Sequence, residues 1–411
     1  MFTKIWLEGQ VSRNSRITAS IIRMRMQPEA AIGTVHRHEA ILVALAGSIA
    51  LAAALGIGRF VYTPILPPMV EALGFTKSTA GLIASANFLG YLIGALLVAS
   101  PILGGSRRMW LLGALVMSAI TTFAMGLTNS VAAFVVLRFV GGAASAFVLV
   151  LASTLVLERL AEAGHAGLSA VCFAGVGIGI AISALLVAGM LLAAQNWQSL
   201  WLASGALSLV AAIVVGMLLG PHSAPALRNE PEKRATSLTL LRLIAAYGLF
   251  GFGYVITATF LVTIVRATPT VRSLEPVIWF VFGLAAAPSV AFWTRIAALR
   301  GAARAFALAC LVEAIGVTAS VMWQTEPGIF LSAVLVGGTF MGLTALGLMR
   351  ARTLAAGAPR RILAYMTGAF GTGQIIGPAF AGVLSDWLGS FTVPSIAAVI
   401  ALILAALLAR H

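Results

Sequence analysis

The sequence is short of charge, and of acid above all. Twelve Asp and Glu stand against 26 Lys and Arg in 411 residues, and charged residues of both signs make up 9%. A water-soluble chain of this length covers its surface with about 25% charged residues, so an aqueous fold is excluded. Cysteine is nearly absent. Cys172 and Cys310 sit in different apolar stretches and read as buried packing, with no disulfide or metal site supported. Four of the five histidines fall in the tail, loops or terminus, the fifth (His165) lies at the lip of an apolar span, and Cys–His ligand spacing is missing. No metal or cofactor is expected. Ser/His/Asp groupings and paired carboxylates at helical spacing are missing too, so an enzyme is not expected. The first 38 residues lack the 7–15-residue apolar core of a signal peptide. They read as a flexible tail, with a basic amphipathic segment or translation from Met26 as alternatives. No stretch alternates polar and apolar in segments of about 10 residues, which excludes a membrane β-barrel.

What remains is 60% hydrophobic, with a mean hydropathy of +1.03. A helix needs about 20 apolar residues to cross a bilayer core, and twelve windows qualify. They run near 40–66, 79–100, 109–127, 131–156, 167–193 and 198–219, then 243–265, 276–296, 303–323, 328–349, 361–385 and 391–409. The second six rewrite the first. Gly56-Ile57-Gly58-Arg59 returns as Gly251-Phe252-Gly253-Tyr254, Val140-Gly141-Gly142 as Val336-Gly337-Gly338, and Gly175-Val176-Gly177 as Gly371-Thr372-Gly373. The fold expected is all-α: twelve transmembrane helices in two pseudo-symmetric six-helix bundles. The domains are a polar tail (1–38), a first bundle (39–220), a Pro- and charge-rich linker (221–239) and a second bundle (240–411). Six spans per half give both halves the same orientation, with a solute path between them.

The basic excess is placed by topology. All but five of the Lys and Arg lie in the tail, in alternate loops or at the C-terminus; the others are Lys77, Arg266 and Arg272 in the opposite loops and Arg59 and Arg138 inside spans. This is the positive-inside pattern with both termini cytoplasmic, and it needs no nucleic-acid partner. The partners expected are the lipid bilayer and a small organic solute, and the chain is expected to be monomeric in a bacterial inner membrane.

Charges inside the spans carry the chemistry. An arginine at mid-helix costs about 2.5–3.5 kcal/mol on insertion scales, so it must face a cavity, find a partner or snorkel to the interface. Arg59 and Arg138 are thus anion contacts or structural anchors. Glu313 is the clearest intramembrane acid and reads either as a proton-coupling carboxylate or as a neutral acid bonded between helices. Asn87 and Tyr91, four apart, share a helix face. With Tyr62, Tyr254 and Gln374 they are the polar candidates for solute contact, each also able to serve as an interhelical hydrogen bond. Gly175-x-Gly177-x-Gly179 lies within an apolar span with no strand before it, which rejects a dinucleotide loop.

The two halves and the charged central loop resemble the major facilitator superfamily over residues 39–411. Gly56-Ile57-Gly58-Arg59-Phe60-Val61-Tyr62-Thr63-Pro64 and Tyr247-Gly248-Leu249-Phe250-Gly251-Phe252-Gly253-Tyr254 resemble its YbfB/YjiJ-type bacterial subgroup. Arg138-Phe139-Val140-Gly141-Gly142 resembles the superfamily's fourth-helix signature, whose Arg is associated with proton-coupled exchange. The loop Pro101 to Arg108 lacks the Asp of the usual loop signature, and Gly175 to Gly179 lacks the proline of the antiporter signature. The resemblance implies helices 1, 4, 7 and 10 around the cavity, helices 3, 6, 9 and 12 outside it, and a proton gradient as energy source. Two arginines with almost no acid tilt the cargo toward an organic anion, with Arg59 as contact, Arg138 and Glu313 as coupling elements, and Tyr62, Asn87, Tyr91, Tyr254 and Gln374 orienting the solute. Multidrug-type efflux of apolar or cationic compounds and a non-transporting membrane sensor are the alternatives.

Overall fold

The computed structural model describes residues 37–100, 104–220, 237–354 and 359–410. The tail and linker expected at 1–38 and 221–239 lie outside these apart from their last residues. Among the described residues there is no strand. Twelve helical segments stand where the apolar windows fall: α1 (Arg37–Leu73), α2 (Lys77–Ala99), α3 (Arg107–Ala124), α4 (Val131–Glu162), α5 (Ser169–Leu192) and α6 (Trp197–Leu218) form the first half. The second half holds α7 (Leu238–Ala267), α8 (Glu275–Ala286 with Ser289–Arg300), α9 (Ala302–Met322), α10 (Glu326–Leu354), α11 (Pro359–Leu388) and α12 (Thr392–Ala409). Ten are long and apolar enough to cross a membrane, and eleven if the bent α8 is one span. The remaining one, α11, is long enough at 30 residues, but its glycines, threonines and Gln374 dilute its apolar character.

Local chemistry sets the boundaries. Thr76, Ser106, Ser130, Asn196 and Ser237 each accept a backbone N–H at the start of α2, α3, α4, α6 and α7, satisfying donors that a helix start leaves free. Gly74 ends α1 in the left-handed region at φ 65°. The 41° bend in α8 falls at Ala287–Pro288, where proline offers no N–H to the preceding turn.

The halves repeat one set of neighbours. In the first, α1 packs on α5, α2 on α4, α3 on α4 and α6; in the second, α7 packs on α11, α8 on α10, α9 on α10 and α12. Between them run the seams α2·α11 and α5·α8, which are counterparts, and α1·α7. Glycine permits the close crossings: a methyl on Gly142 would lie 1.9 Å from the Asn87 carbonyl oxygen, and one on Gly337 2.4 Å from that of Phe282. These counterpart crossings pair Gly142 with Gly337, 195 positions apart and one residue out of step with the Val140–Val336 alignment. The α5/α11 pair is further out. Gly175 and Gly179 face α1, and Gly373 and Gly377 face α7, so the structural counterparts are two residues out of step with the Gly175–Gly371 alignment. A glycine at every second position satisfies both registers, which is why the sequence alone misplaces it.

Candidate functional site between the halves

The site starts from a fault in α1. A π-helical turn, Ala52–Ile57, is followed by a turn through Val61 before the helix resumes at Tyr62. Pro64 cannot donate to the Phe60 carbonyl, and the Thr63 N–H goes there instead, at 3.2 Å. That leaves Arg59 O without a helical donor, and Gly58 O, at the end of the π-helical turn, also lacks one. Arg138 of α4 supplies it, with Nη1 donating to Gly58 O at 3.1 Å and Nη2 to Arg59 O at 3.0 Å. Its guanidinium also lies over the Tyr62 ring, 4.9 Å from the centroid. The interfacial snorkel open to Arg138 on sequence grounds is not what is seen: the residue is 5% exposed and braces a broken helix.

That brace holds Arg59 against the seam. Its guanidinium lies over the rings of Tyr91 and Phe88, 4.4 and 4.6 Å from their centroids, and 5.4 Å from that of Phe60, a cation–π arrangement that substitutes in part for lost water. Arg59 is 4% exposed, and its Nε and Nη2 have no hydrogen-bond partner. Across the seam, Phe60 meets Phe340 edge-on at 5.8 Å, and Tyr254 stacks between Phe340 (5.7 Å) and Phe370 (5.9 Å). Gln374 donates to the Tyr254 hydroxyl, and its own carbonyl oxygen is unpartnered and buried.

Of the predicted site residues, Arg59, Tyr91, Tyr254 and Gln374 come together here. Tyr62 turns away, donating to Ala80 O at 2.8 Å beside Trp201. Asn87 and Tyr91 are four apart, but only Tyr91 reaches Arg59; Asn87 donates to Arg138 O at 2.9 Å. Glu313 of α9 is wholly buried with both carboxyl oxygens unpartnered, beside an α10 that it packs against. Phe60, Phe88, Phe340 and Phe370 were not singled out by the sequence. Phe88 alone had a signal, three residues before Tyr91 on the same flank.

The family described as "Uncharacterised MFS-type transporter YbfB" matches residues 51–410. The chain belongs to that family. A "Chloramphenicol resistance protein" of Streptomyces lividans is 28% identical over 338 residues, covering 80% of this chain and 85% of the relative. Two solved structures of the nucleoside transporter NupG share the fold: a point mutant at TM-score 0.68 over 89% of this chain and 98% of its own, and a second at 0.65 over 90% and 97%, both 16% identical. As a transporter of the MFS type, the protein has one further feature of note, the unequal ends of its seam. Arg266 of α7 grips Glu71 of α1 through Nε (to Oε1, 2.8 Å) and Nη2 (to Oε2), while its Nη1 holds Glu275 of α8 at 2.8 Å. Thr63 donates to Ala258 O at 2.8 Å. Asp386 of α11 accepts from the N–H groups of Lys77 (3.0 Å) and Ser78 (2.8 Å) at the start of α2, and from the Ser78 hydroxyl. At the opposite end Arg107 pairs with Glu158 and Arg108 with the carbonyls of Gly216 and Leu219, all within the first half. Among the described residues no hydrogen bond joins the halves there.

Proposed function

We propose that this MFS-type transporter moves a small organic anion across the bacterial inner membrane by alternating access, with Arg59 as the anion contact. One observation carries the reading. The Nε and Nη2 of Arg59 form the same edge of the guanidinium fork with which Arg266 holds the Glu71 carboxylate. In Arg59 that edge is buried and empty, and bidentate carboxylate recognition is what it is shaped for. Tyr91 and the Tyr254–Gln374 pair orient the solute, and the rings of Phe88, Phe340 and Phe370 receive its apolar part. The end tied by Glu71–Arg266 and Asp386 is the outer one, by the positive-inside pattern, and the untied end leads to the cytoplasm. Glu313 is the coupling carboxylate for protons, and Arg138 acts on coupling through the α1 fault. The protein works as a monomer.

A second reading has its own support. The relative from Streptomyces lividans is called a chloramphenicol resistance protein, and the aromatic lining suits efflux of a neutral aromatic compound; Arg59 argues against cationic cargo. Flux in proteoliposomes separates them. Arg59→Gln, folded by circular dichroism, should lose anion flux by about a hundredfold, the two charge-assisted hydrogen bonds at roughly 1.4 kcal/mol per tenfold. Unchanged anion flux would remove the assignment. Flux of neutral aromatics that survives the substitution would favour efflux.

A further inference from the structure

The two halves treat the arginines of their unclasped ends differently. In the first half, those at the ends of α3 and α4 are held by protein. Arg107 donates to both oxygens of Glu158 at 3.1 Å, Arg108 to the carbonyls of Leu219 and Gly216, and Arg159 to Gly220 O at 3.4 Å. In the second half, Arg295 and Arg300 of α8, Arg304 of α9 and Arg350 and Arg352 of α10 stand at the same end of three helices that pack on one another. Among the described residues, ion pairs form only at Arg107 and Arg266, and none of these second-half side chains makes a hydrogen bond. No acid offsets them. After Glu232 the acids are Glu275, Glu326 and Asp386, at the clasped end, and Glu313, in mid-span. The tail holds two Glu against five Lys and Arg, and the linker two against three, so neither brings net negative charge.

Position along each helix decides what these arginines face. On α8, Arg295 lies three residues after Phe292 and four before Leu299, so the three share one face. Phe292 and Leu299 are 57% and 79% exposed, while Trp293 and Ala297 form the buried face. The exposed apolar face of a spanning helix is the one that lipid covers. Leu299 stands one turn nearer the end of α8 than Arg295, which puts the Arg295 guanidinium at headgroup depth and not in the aqueous loop. Arg304 heads the same kind of stripe on α9, four residues before exposed Leu308 and eleven before exposed Ile315, and Arg352 follows exposed Met349 by three on α10. Arg350 adds a half-buried guanidinium whose Nε has no partner. A long cationic side chain rooted in an apolar stripe reaches for the interface, and clustered basic residues at cytoplasmic helix ends hold anionic headgroups.

We propose that the ends of α8, α9 and α10 form a binding surface for an anionic phospholipid of the phosphatidylglycerol type. Arg295, Arg304 and Arg352 surround its headgroup, and the stripes below them take its acyl chains. Those stripes favour a lipid over a free phosphate, which has nothing to lay against Phe292 or Leu308. The second half is thereby tied to the leaflet through lipid, where the first half ties its arginines to itself. Arg59 and the solute path take no part.

Delipidated full-length protein in dodecylmaltoside, titrated with mixed micelles of phosphatidylglycerol or of phosphatidylcholine, tests this through its unfolding transition, which a ligand of the folded state raises. Phosphatidylglycerol should raise the transition with saturation, and phosphatidylcholine should not. Arg304→Gln should increase the phosphatidylglycerol fraction needed for half the effect about fivefold, the weight of one basic residue at an anionic surface. Replacing Arg295, Arg304 and Arg352 together by Gln should increase it by about a hundredfold, three such factors multiplied. Should that triple variant not fold, Arg295→Gln and Arg352→Gln should each give the fivefold change alone. Arg37→Gln, which neutralises an exposed arginine at the same end of the first half, should change nothing. An equal effect of Arg37→Gln would mean diffuse attraction to the whole basic face and would overturn the site. So would equal stabilisation by both lipids, or a response unaltered by the Gln substitutions at Arg295, Arg304 and Arg352. Stabilisation by glycerol 3-phosphate in the lipid's place, lost in Arg304→Gln, would give the site to a soluble phosphate ester and overturn the lipid assignment.

Discussion

The first helix of each half began as the same element, and the two have diverged around one turn. Arg59 of α1 corresponds to Tyr254 of α7, Pro64 to Thr259, and Arg138 on α4, in the register of the Gly142 and Gly337 crossings, to Ala333 on α10. In the first half the chain is broken between Ala52 and Tyr62 and braced by Arg138. In the second, α7 runs unbroken for 30 residues, and Ala333 is buried but has no donor to offer. The break, the brace and the unpartnered cation therefore occur together, and the other half has none of them. A proline that strips one donor from a buried helix leaves carbonyls that lipid cannot satisfy, and the guanidinium fork of Arg138 fits two adjacent ones. The second half contributes instead what a continuous helix offers, a phenol and an amide in a fixed stack.

The comparison breaks most visibly if the fault is moved. Thr259→Pro would place the proline of α1 at its counterpart in α7, with Ala333 in place of a brace. It should destabilise the protein by about 3 kcal/mol or more, read as the shift of the unfolding transition in detergent. A negligible shift would mean that α7 tolerates a fault unaided, and the brace argument would fail. Arg138→Leu is next in size. It removes the donors to Gly58 O and Arg59 O and should cost about 2–3 kcal/mol, in the upper part of the range of about 1–3 kcal/mol for a buried polar group left unsatisfied.

Much of the architecture was visible in sequence because lipid imposes a simple code. Apolar windows fell on every helical segment, and their ends differ by a few residues, as in α1, which continues past Pro67 to Leu73, and α4, which reaches Glu162 rather than 156. The Pro288 bend and the α5/α11 register were not legible, since a Gly-x-Gly-x-Gly run fits two alignments equally. Arg59 stood out as a charge among apolar neighbours. The rings that cage it did not, because one of 21 phenylalanines in such a chain looks like any other. The Glu71–Arg266 pair joins residues 195 apart, the spacing of the repeat itself. Opposite charges at counterpart positions of α1 and α7 were a signal of contact across the pseudo-twofold axis, and so was Thr63 against Ala258 at the same spacing.

The smallest effect is the most discriminating. Pro64→Thr gives α1 the residue that its counterpart carries and returns an N–H to the Phe60 carbonyl. Thr63 then no longer has to serve that carbonyl, and its own N–H can reach Arg59 O. One of the two bonds made by Arg138 becomes redundant. Arg138→Leu should consequently cost about 1 kcal/mol less in the Pro64→Thr background than alone, a coupling typical of groups that share a partner. The four proteins of this double-mutant cycle need only their unfolding transitions measured under one detergent condition. Additive costs would mean that Arg138 braces something other than the proline fault. Coupling of the expected sign would tie the fourth helix's arginine to the fault in the first, and with it the position in which Arg59 is held at the seam.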